Sequence, residues 1–476
     1  MKIAVVGSGY VGLVAGACFA ELGHNVILVD NDQLKLAALK RGECPIHEKF
    51  LPELLERHRG RRLEFTGDLA AAVRRSQLVF IAVGTPPKED GDADLSYVES
   101  VARDIALSID DYKIVVEKST VPVYTNGWIR KIMLLNGAPA ELFDVASNPE
   151  FLREGAAVVD FLYPDRIVVG AESERCAAAM EAAYKPLVDG SYYTRPDAIP
   201  GRDPAPFKAK LIRTSACSAE LIKHASNAFL AMKISFINDV AAVCEAVGAD
   251  VQQVCEGIGS DSRIGRRFLR PGIGYGGSCF PKDLLAFRTV ARENGCQFGL
   301  LDEVVRVNEE QRVRFLRKVK KALWTLKGKK LAVLGLAFKN GTDDIRESPA
   351  MAIVKCLIRE GCSITAYDPA AMAHAAADHE SASIRLVQDA YEAMEGADAC
   401  LILTEWEDFA ALDLARIRKL LRYPIVIDGR NLFSPQKMRA AGLNYYSIGR
   451  PDILSTREQM ATRAMRELVE EDEAAA

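Results

Sequence analysis

No apolar run in this chain approaches the roughly eighteen residues that a membrane-spanning helix needs, and the longest buried-strand candidates, such as residues 78–83, are short. A bilayer-spanning helix is therefore not expected. There is no basic excess either. The formal net charge of −4 argues against nucleic acid or an anionic membrane as the main partner, while leaving room for a local basic cleft that takes a phosphorylated substrate. The eleven cysteines include no Cys-x-x-Cys pair and no repeated spacing, so they read as thiols of a reducing cytoplasm, and no metal site is expected. No leader with a basic start, a long apolar run and a cleavage site precedes the first predicted strand, which supports the same compartment.

What is present is a long globular chain. Its 476 residues exceed one core and suggest about two to four domains, with ample apolar material at 49% hydrophobic. Residues 2–7 form a short β-branched run, residues 13–22 have helical apolar spacing, and Asn25–Val29 is a second strand ending at Asp30, so the chain opens with a βαβ unit. Further strands are predicted at 78–83, Lys113–Glu117, Phe143–Ser147 and 166–170, alternating with helices as in a mostly parallel sheet covered on both faces. Residues 218–247 are continuously helical in pattern, without Gly or Pro, long enough to bridge two lobes. The stretch before it, 190–206, has two Tyr, four Pro and few apolar residues and reads as a loop. A second strand–helix–strand pattern, at 330–335 and 362–368, echoes the first, with strands at 399–403 and Ile425–Asp428 extending it. The fold class expected is α/β, with two Rossmann-like doubly wound domains joined by a long central helix. The end of the chain, with Glu470-Glu471-Asp472-Glu473, reads as a polar, acidic tail.

Gly7-Ser8-Gly9-Tyr10-Val11-Gly12 follows a predicted strand and opens a predicted helix, and Asp30 stands eighteen residues after the last glycine. These are the parts of a dinucleotide fingerprint in context: a tight turn, close approach of the pyrophosphate to the backbone, helix-on-strand packing, and an acid for the ribose hydroxyls. An acid there disfavours a 2′-phosphate, so the expected cofactor is NAD. Thr85 and Thr120 each follow a predicted strand end, where an open α/β sheet presents its crevice; taken alone, each is as readily a turn residue or a helix cap. Lys223 and Asn227 are four apart and share a helix face. Alone, they read equally as a snorkelling Lys and a surface Asn.

Tyr275-Gly276-Gly277-Ser278-Cys279-Phe280-Pro281-Lys282-Asp283 places one cysteine between a glycine-rich approach and a Lys/Asp pair. If Pro281 opens a helix, Cys279 sits just ahead of its first turn, where free N–H groups and the helix dipole favour a thiolate. A lone cysteine is otherwise a small buried apolar residue. The glycines and the cofactor motif turn the reading toward a nucleophile.

With these strings in view, chiefly 148–155, 223–238, 263–283 and 335–349, the chain resembles the nucleotide-sugar dehydrogenases of the UDP-glucose/GDP-mannose dehydrogenase family, over roughly residues 1–450 and best in their UDP-glucose 6-dehydrogenase branch. The resemblance implies an N-terminal NAD-binding domain (1–205), a central helical dimerisation domain carrying the catalytic cysteine (206–320), a C-terminal UDP-sugar domain (321–450) and a tail (451–476). It implies oxidation of the sugar C6 alcohol to a carboxylate with two NAD+, through a thiohemiacetal and a thioester on Cys279. Lys223 and Asn227 would serve as oxyanion donors, Asp283 would orient or deprotonate water, and Thr120 and Glu150 would hold it. For the cofactor it points to Gly7, Gly9, Tyr10, Val11, Gly12, Asp30, Lys35, Thr85, Thr120, Glu154, Lys282 and Arg346. For the UDP-sugar it points to Glu150, Phe151, Leu152, Arg153, Glu154, Lys223, Asn227, Phe268, Leu269, Arg270, Pro271, Gly272, Gly276, Lys339 and Arg430. Arg263 matches a residue that reaches the neighbouring subunit's substrate, implying at least a homodimer.

Three features depart from the family pattern: Ser215 stands where an Asp follows the Thr, Tyr124 where a Gly commonly follows Pro-Val, and the loop 190–213 is longer. The nearest alternatives are the same chemistry on GDP-mannose or a UDP-N-acetylhexosamine. Gly277-Ser278-Cys279 fits the glucose branch better than the Gly-Gly-His-Cys of N-acetylhexosamine enzymes. A non-catalytic NAD-binding regulatory protein is a third possibility, opposed by the presence of Cys279, Lys223, Asn227 and Asp283 together.

Overall fold

The computed structural model describes residues 1–86, 88, 93–201 and 207–454; Pro87, residues 89–92, residues 202–206 of the expected loop, and the expected tail from 455 onward lie outside the described residues. The chain divides into two compact units, the first Met1–Ala228 with Lys282–Phe298, the second Phe229–Pro281 with the residues from Gly299 onward. One division falls within the 32-residue helix Ala216–Val247, so this helix carries the chain from the first unit into the second.

The first unit holds β1 (Lys2–Val6), β2 (Asn25–Val29), β3 (Leu63–Thr66), β4 (Leu78–Ile81), β5 (Lys113–Glu117), β6 (Phe143–Ser147), β7 (Arg166–Ala171) and β8 (Lys210–Thr214). Their order is β3-β2-β1-β4-β5-β6-β7-β8, parallel throughout except between β6 and β7. The inner strands are buried along their length, as strands covered by helices on both faces must be, and for that reason they read as unbroken apolar runs. The second unit repeats the plan with β9 (Lys330–Leu334), β10 (Ser363–Tyr367), β11 (Arg385–Leu386), β12 (Ala399–Ile402), β13 (Ile425–Asp428) and β14 (Asn444–Ser447), all parallel in the order β11-β10-β9-β12-β13-β14. In each sheet the order reverses beside the first strand, at β1/β4 and β9/β12, and there an open parallel sheet presents a ligand crevice.

The expected loop at 190–206 is more structured than its composition suggests. Ser191–Thr194 forms a 3₁₀ turn, Tyr192 is fully buried, and its ring meets those of Tyr163 and Tyr193 at 6.3 and 5.6 Å. Two tyrosines replace the aliphatic residues that the segment lacks: the rings supply apolar area while the Tyr192 hydroxyl accepts from the Ile199 N–H at 2.9 Å. The longer stretch to Arg213 is likewise not all loop, because Lys210–Thr214 pairs in parallel with β7.

Tyr124 has φ of 78° at the entry of the helix Thr125–Leu135. Glu220, on the long helix, caps that entry, accepting from the N–H groups of Tyr124 and Asn126 at 2.7 and 2.8 Å. No helix among the described residues is long and apolar enough to cross a membrane.

Candidate active site

In the first unit the turn after β1 is built by its glycines. Gly7 has φ of 101° and a Cβ there would lie 2.6 Å from the Ala82 carbonyl oxygen; a Cβ on Gly12 would lie 1.9 Å from the Gly7 oxygen. At Gly9, by contrast, a Cβ would meet nothing within 4 Å, so the backbone between the two packed glycines is open to close approach. Asp30 stands at the end of β2, its Oδ2 accepting from the Ser8 N–H at 2.8 Å and from the Ser8 hydroxyl, with Lys35 Nζ 3.7 Å away. Burial pushes this carboxyl upward, but the Ser8 and Asp32 hydrogen bonds and Lys35 outweigh it and hold Asp30 below the usual range. It is an anion at neutral pH, able to accept from ribose hydroxyls and to repel a phosphate there. Open backbone at a helix N-terminus, flanked by an ionised acid, fits a dinucleotide.

The ends of β4 and β5 bring Thr85 and Thr120 together, Thr85 Oγ1 donating to the Thr120 carbonyl at 2.8 Å and accepting from Lys282 Nζ at 2.9 Å. Both threonines and Lys282, widely separated in sequence, thus form one cluster. Tyr10 does two things at once: its hydroxyl donates to Glu48 and accepts from the Gly155 N–H at 2.7 Å, tying the fingerprint helix to the segment after Glu154. Glu48 was not marked by any motif.

A second cluster surrounds Glu150. Lys223 Nζ donates to Glu150 Oε1 at 2.7 Å with both side chains buried, and the Lys223 ammonium lies 5.6 Å from the Phe151 ring centre. Burial pushes the Glu150 carboxyl up, yet Lys223 first, then the Leu152 N–H and Lys118, bring it below the usual range. An isolated buried ion pair of this kind adds little to stability because desolvation offsets the attraction, so its presence is better explained by chemistry than by folding. Behind it lies Lys118, which no motif singles out. Its Nζ donates to Oδ1 and O of Asn148 at 3.1 and 3.2 Å, and burial, helped by the Lys223 charge and opposed by Glu150, brings its pKa down to about 8.

One helical turn beyond Lys223, Asn227 Nδ2 donates to Asp283 Oδ2 at 2.5 Å. Between them His224 is buried, donates from Nε2 to the Val121 carbonyl at 2.7 Å, and is pushed down by burial, which keeps its imidazole neutral. Leu152 and Arg153 lie in the same stretch as Glu150; the Arg153 guanidinium pairs with Asp160 at 2.7 Å.

In the second unit the cysteine segment is shaped by close backbone contact. A Cβ on Gly276 would lie 2.1 Å from the Glu347 oxygen, and Gly277, at φ of 83°, donates to the Arg346 carbonyl at 3.1 Å. Cys279 follows, half-buried, its Sγ 3.7 Å from the Ser278 hydroxyl, directly before the helix Phe280–Glu293. Arg430 donates to the carbonyls of Leu403 and Phe338 at 2.8 and 2.9 Å and to that of Gly274 at 3.4 Å, which joins it to the glycine segment. Phe268 has φ of 67°, and Leu269, Arg270, Pro271 and Gly272 continue from it toward Ile273. Lys339 Nζ stands 5.6 Å from the Phe338 ring centre, Arg346 pairs with Asp344 at 2.7 Å, and Arg263 is exposed and pairs with Asp261. Val11 lies within the fingerprint helix. Among the described residues no group of three or more His, Cys, Asp or Glu could hold a metal ion.

Three family models match along the chain: the NAD binding domain of the UDP-glucose/GDP-mannose dehydrogenase family at residues 1–188, its central domain at 217–310 and its UDP binding domain at 332–435. The chain belongs to the UDP-glucose/GDP-mannose dehydrogenase family. It is 46% identical over 456 residues to the UDP-glucose 6-dehydrogenase TuaD of Bacillus subtilis, covering 96% of this chain and 94% of that one. It is also 46% identical over 457 residues to a UDP-glucose 6-dehydrogenase of Rhizobium meliloti, covering 95% and 100%. Among known structures, a UDP-glucose dehydrogenase from Pyrobaculum islandicum superposes with a TM-score of 0.84 at 37% identity, covering 94% and 98%. As a member of this family the chain is an NAD-dependent dehydrogenase.

Proposed function

We propose that the chain oxidises the C6 alcohol of UDP-glucose to the carboxylate of UDP-glucuronate, with two NAD+ used in succession and Cys279 as the covalent nucleophile. The observation that carries this reading is the position of Cys279 directly ahead of the Phe280–Glu293 helix, four residues before Asp283, whose carboxylate takes the Asn227 amide. A helix N-terminus favours the thiolate through its dipole and free N–H groups. All eleven cysteines are free thiols, so the nucleophile is not locked in a disulfide. The two relatives at 46% identity, both UDP-glucose 6-dehydrogenases, support the choice of sugar.

NAD+, when bound, accepts the hydride released at C6 in each oxidation. The first oxidation leaves an aldehyde. The Cys279 thiolate adds to its carbon, the C–S bond forms as the carbonyl electron pair moves to oxygen, and Lys223 and Asn227 donate hydrogen bonds to that oxyanion. Loss of the second hydride from the tetrahedral carbon gives a thioester. Water then adds, oriented by Asp283, Thr120 and Glu150, and the C–S bond breaks to return the thiolate. Glu150, held ionised by Lys223, suits the acceptor part of that task. In this reading residues 1–205 hold NAD, 321–450 hold the UDP moiety, and 206–320 make a homodimer in which Arg263 serves the neighbouring subunit's sugar.

The test is the yield of NADH per limiting nucleotide sugar, with UDP-glucose, UDP-N-acetylglucosamine and GDP-mannose compared and the product weighed by mass spectrometry. Two NADH per UDP-glucose, with UDP-glucuronate formed, is the expected result. One NADH per sugar would remove Cys279 from its role, and activity with another sugar alone would keep the chemistry and overturn the substrate.

A further inference from the structure

Within the second unit a groove of about 480 Å³ runs between the second half of the long helix, the helix Gly299–Leu323 and the stretch after β14. That is the size of a small-metabolite site. Its lining carries five basic side chains, Arg314, Arg317, Lys318, Lys321 and Arg450, against two acids, Glu245 and Asp452. Several are paired: Arg314 with Asp239 at 2.9 Å, Lys318 with Glu245 at 3.0 Å, Lys321 with Asp452 at 2.9 Å, while Arg450 donates to the Tyr445 hydroxyl. Arg317 is exposed, and no carboxylate pairs with it among the described residues.

The floor of the groove gives the second, independent observation. Asn238 and Gln311 line it, and they are only 1% and 2% exposed. Together they clamp one residue on both sides: Asn238 Oδ1 accepts from the Gly272 N–H at 2.9 Å and Gln311 Nε2 donates to the Gly272 carbonyl at 2.8 Å. Those two bonds fix which way each amide points, because a backbone N–H can only donate and a carbonyl only accept. What is left over is a donor, Asn238 Nδ2, and an acceptor, Gln311 Oε1, both buried and without a hydrogen-bond partner. Buried polar atoms rarely stay unpaired. A donor and an acceptor left over on neighbouring amides call for a ligand rich in hydroxyls, which donate and accept, and the basic side chains nearby answer a phosphate.

We propose that this groove binds a small phosphorylated polyol, its hydroxyls on Asn238 and Gln311 and its phosphate on Arg317 and Lys321. Because the same two amides hold Gly272 by both its N–H and its C=O, a ligand there acts on the segment that leads, seven residues on, to Cys279.

The probes are ribose 5-phosphate and inorganic phosphate, titrated calorimetrically into the purified full chain in the presence of saturating UDP. Ribose 5-phosphate is expected to bind more tightly than phosphate, and Arg317→Glu, on an exposed side chain that folding does not need, is expected to weaken both by about tenfold or more. Asn238→Asp keeps the acceptor for Gly272 and exchanges the free donor for a carboxylate oxygen, so it is expected to erase the advantage of the sugar phosphate. Loss of binding when UDP is added, equal affinity in Arg317→Glu, or no binding of either probe at millimolar concentration would each overturn the proposal. The last outcome would leave an ordered water as the partner of the two amides. The measurement uses no turnover, so its failure is separate from any failure of the reaction proposed above.

Discussion

Asn227 donates to Asp283 at 2.5 Å, joining the long helix to the first turn of the helix that Cys279 precedes. Replacing Asn227 by Asp would set two carboxylates at hydrogen-bond distance, where like charges force one to keep a proton. For Asn227→Asp the expected result is a fall in kcat of about 10²-fold or more, the scale of losing one oxyanion donor, with an acid limb shifted to higher pH and KM changed less. A pH profile of kcat equal to that of the parent enzyme would remove Asn227 from the donor role.

Glu117 and Glu220 form a buried carboxyl pair behind the Thr120 segment. Burial, and then the Glu220 charge, push Glu117 well above the usual range; burial also raises Glu220, against the N–H groups of Asn126 and Tyr124. A raised folded value means that the folded chain holds a proton which the unfolded chain releases above about pH 4. The stabilisation is therefore complete below that pH and is lost as pH rises through the raised folded value. Glu117→Gln offers an amide in place of the protonated carboxyl, and its urea midpoint is expected to fall less steeply on going from acid to neutral and alkaline pH. The difference in slope is up to ~1.4 kcal/mol per pH unit for one proton. Parallel curves for parent and variant would contradict the shared proton.

Tyr124 holds φ of 78°, a conformation that favours Gly, and its side chain is exposed, so little packing is lost on removing it. The left-handed conformation costs a non-glycine residue roughly 1–2 kcal/mol, while Gly adds about 0.4–1 kcal/mol of unfolded-state entropy. The first effect is the larger. Tyr124→Gly is expected to raise the free energy of unfolding slightly, by up to about 1.6 kcal/mol, and Tyr124→Ala, which keeps a Cβ, is not. A destabilised Tyr124→Gly would mean that the ring contributes more than its exposure suggests.

What the sequence revealed follows from how far apart the interacting groups lie. The fingerprint turn Gly7–Gly12 was legible because its parts are contiguous and Gly7 and Gly12 each answer a local steric demand, such as the 1.9 Å contact a Cβ on Gly12 would make. The inner strands were legible because burial on both faces leaves an unbroken apolar run. Tyr192 was not, because its burial depends on Tyr163 and Tyr193 and on a hydroxyl acceptor role that composition does not encode. Lys118 reads as an ordinary charged residue after a strand; only the folded chain sets it beside Asn148, Glu150 and Lys223. The Glu220 cap on the Tyr124 turn joins residues almost a hundred positions apart and left no local trace.

The covalent role of Cys279 is the centre of the proposed reaction, and it is tested most directly by rapid acid quench of an Asp283→Asn variant turning over UDP-glucose with excess NAD+. Slowed hydrolysis should let the thioester accumulate. Peptide mass spectrometry is expected to find the mass of a UDP-glucuronyl group on the peptide containing Cys279, and no such mass when Cys279 is also changed to Ser. Full turnover by the Cys279→Ser chain, or quenched enzyme free of adduct while UDP-glucuronate still forms, would contradict it.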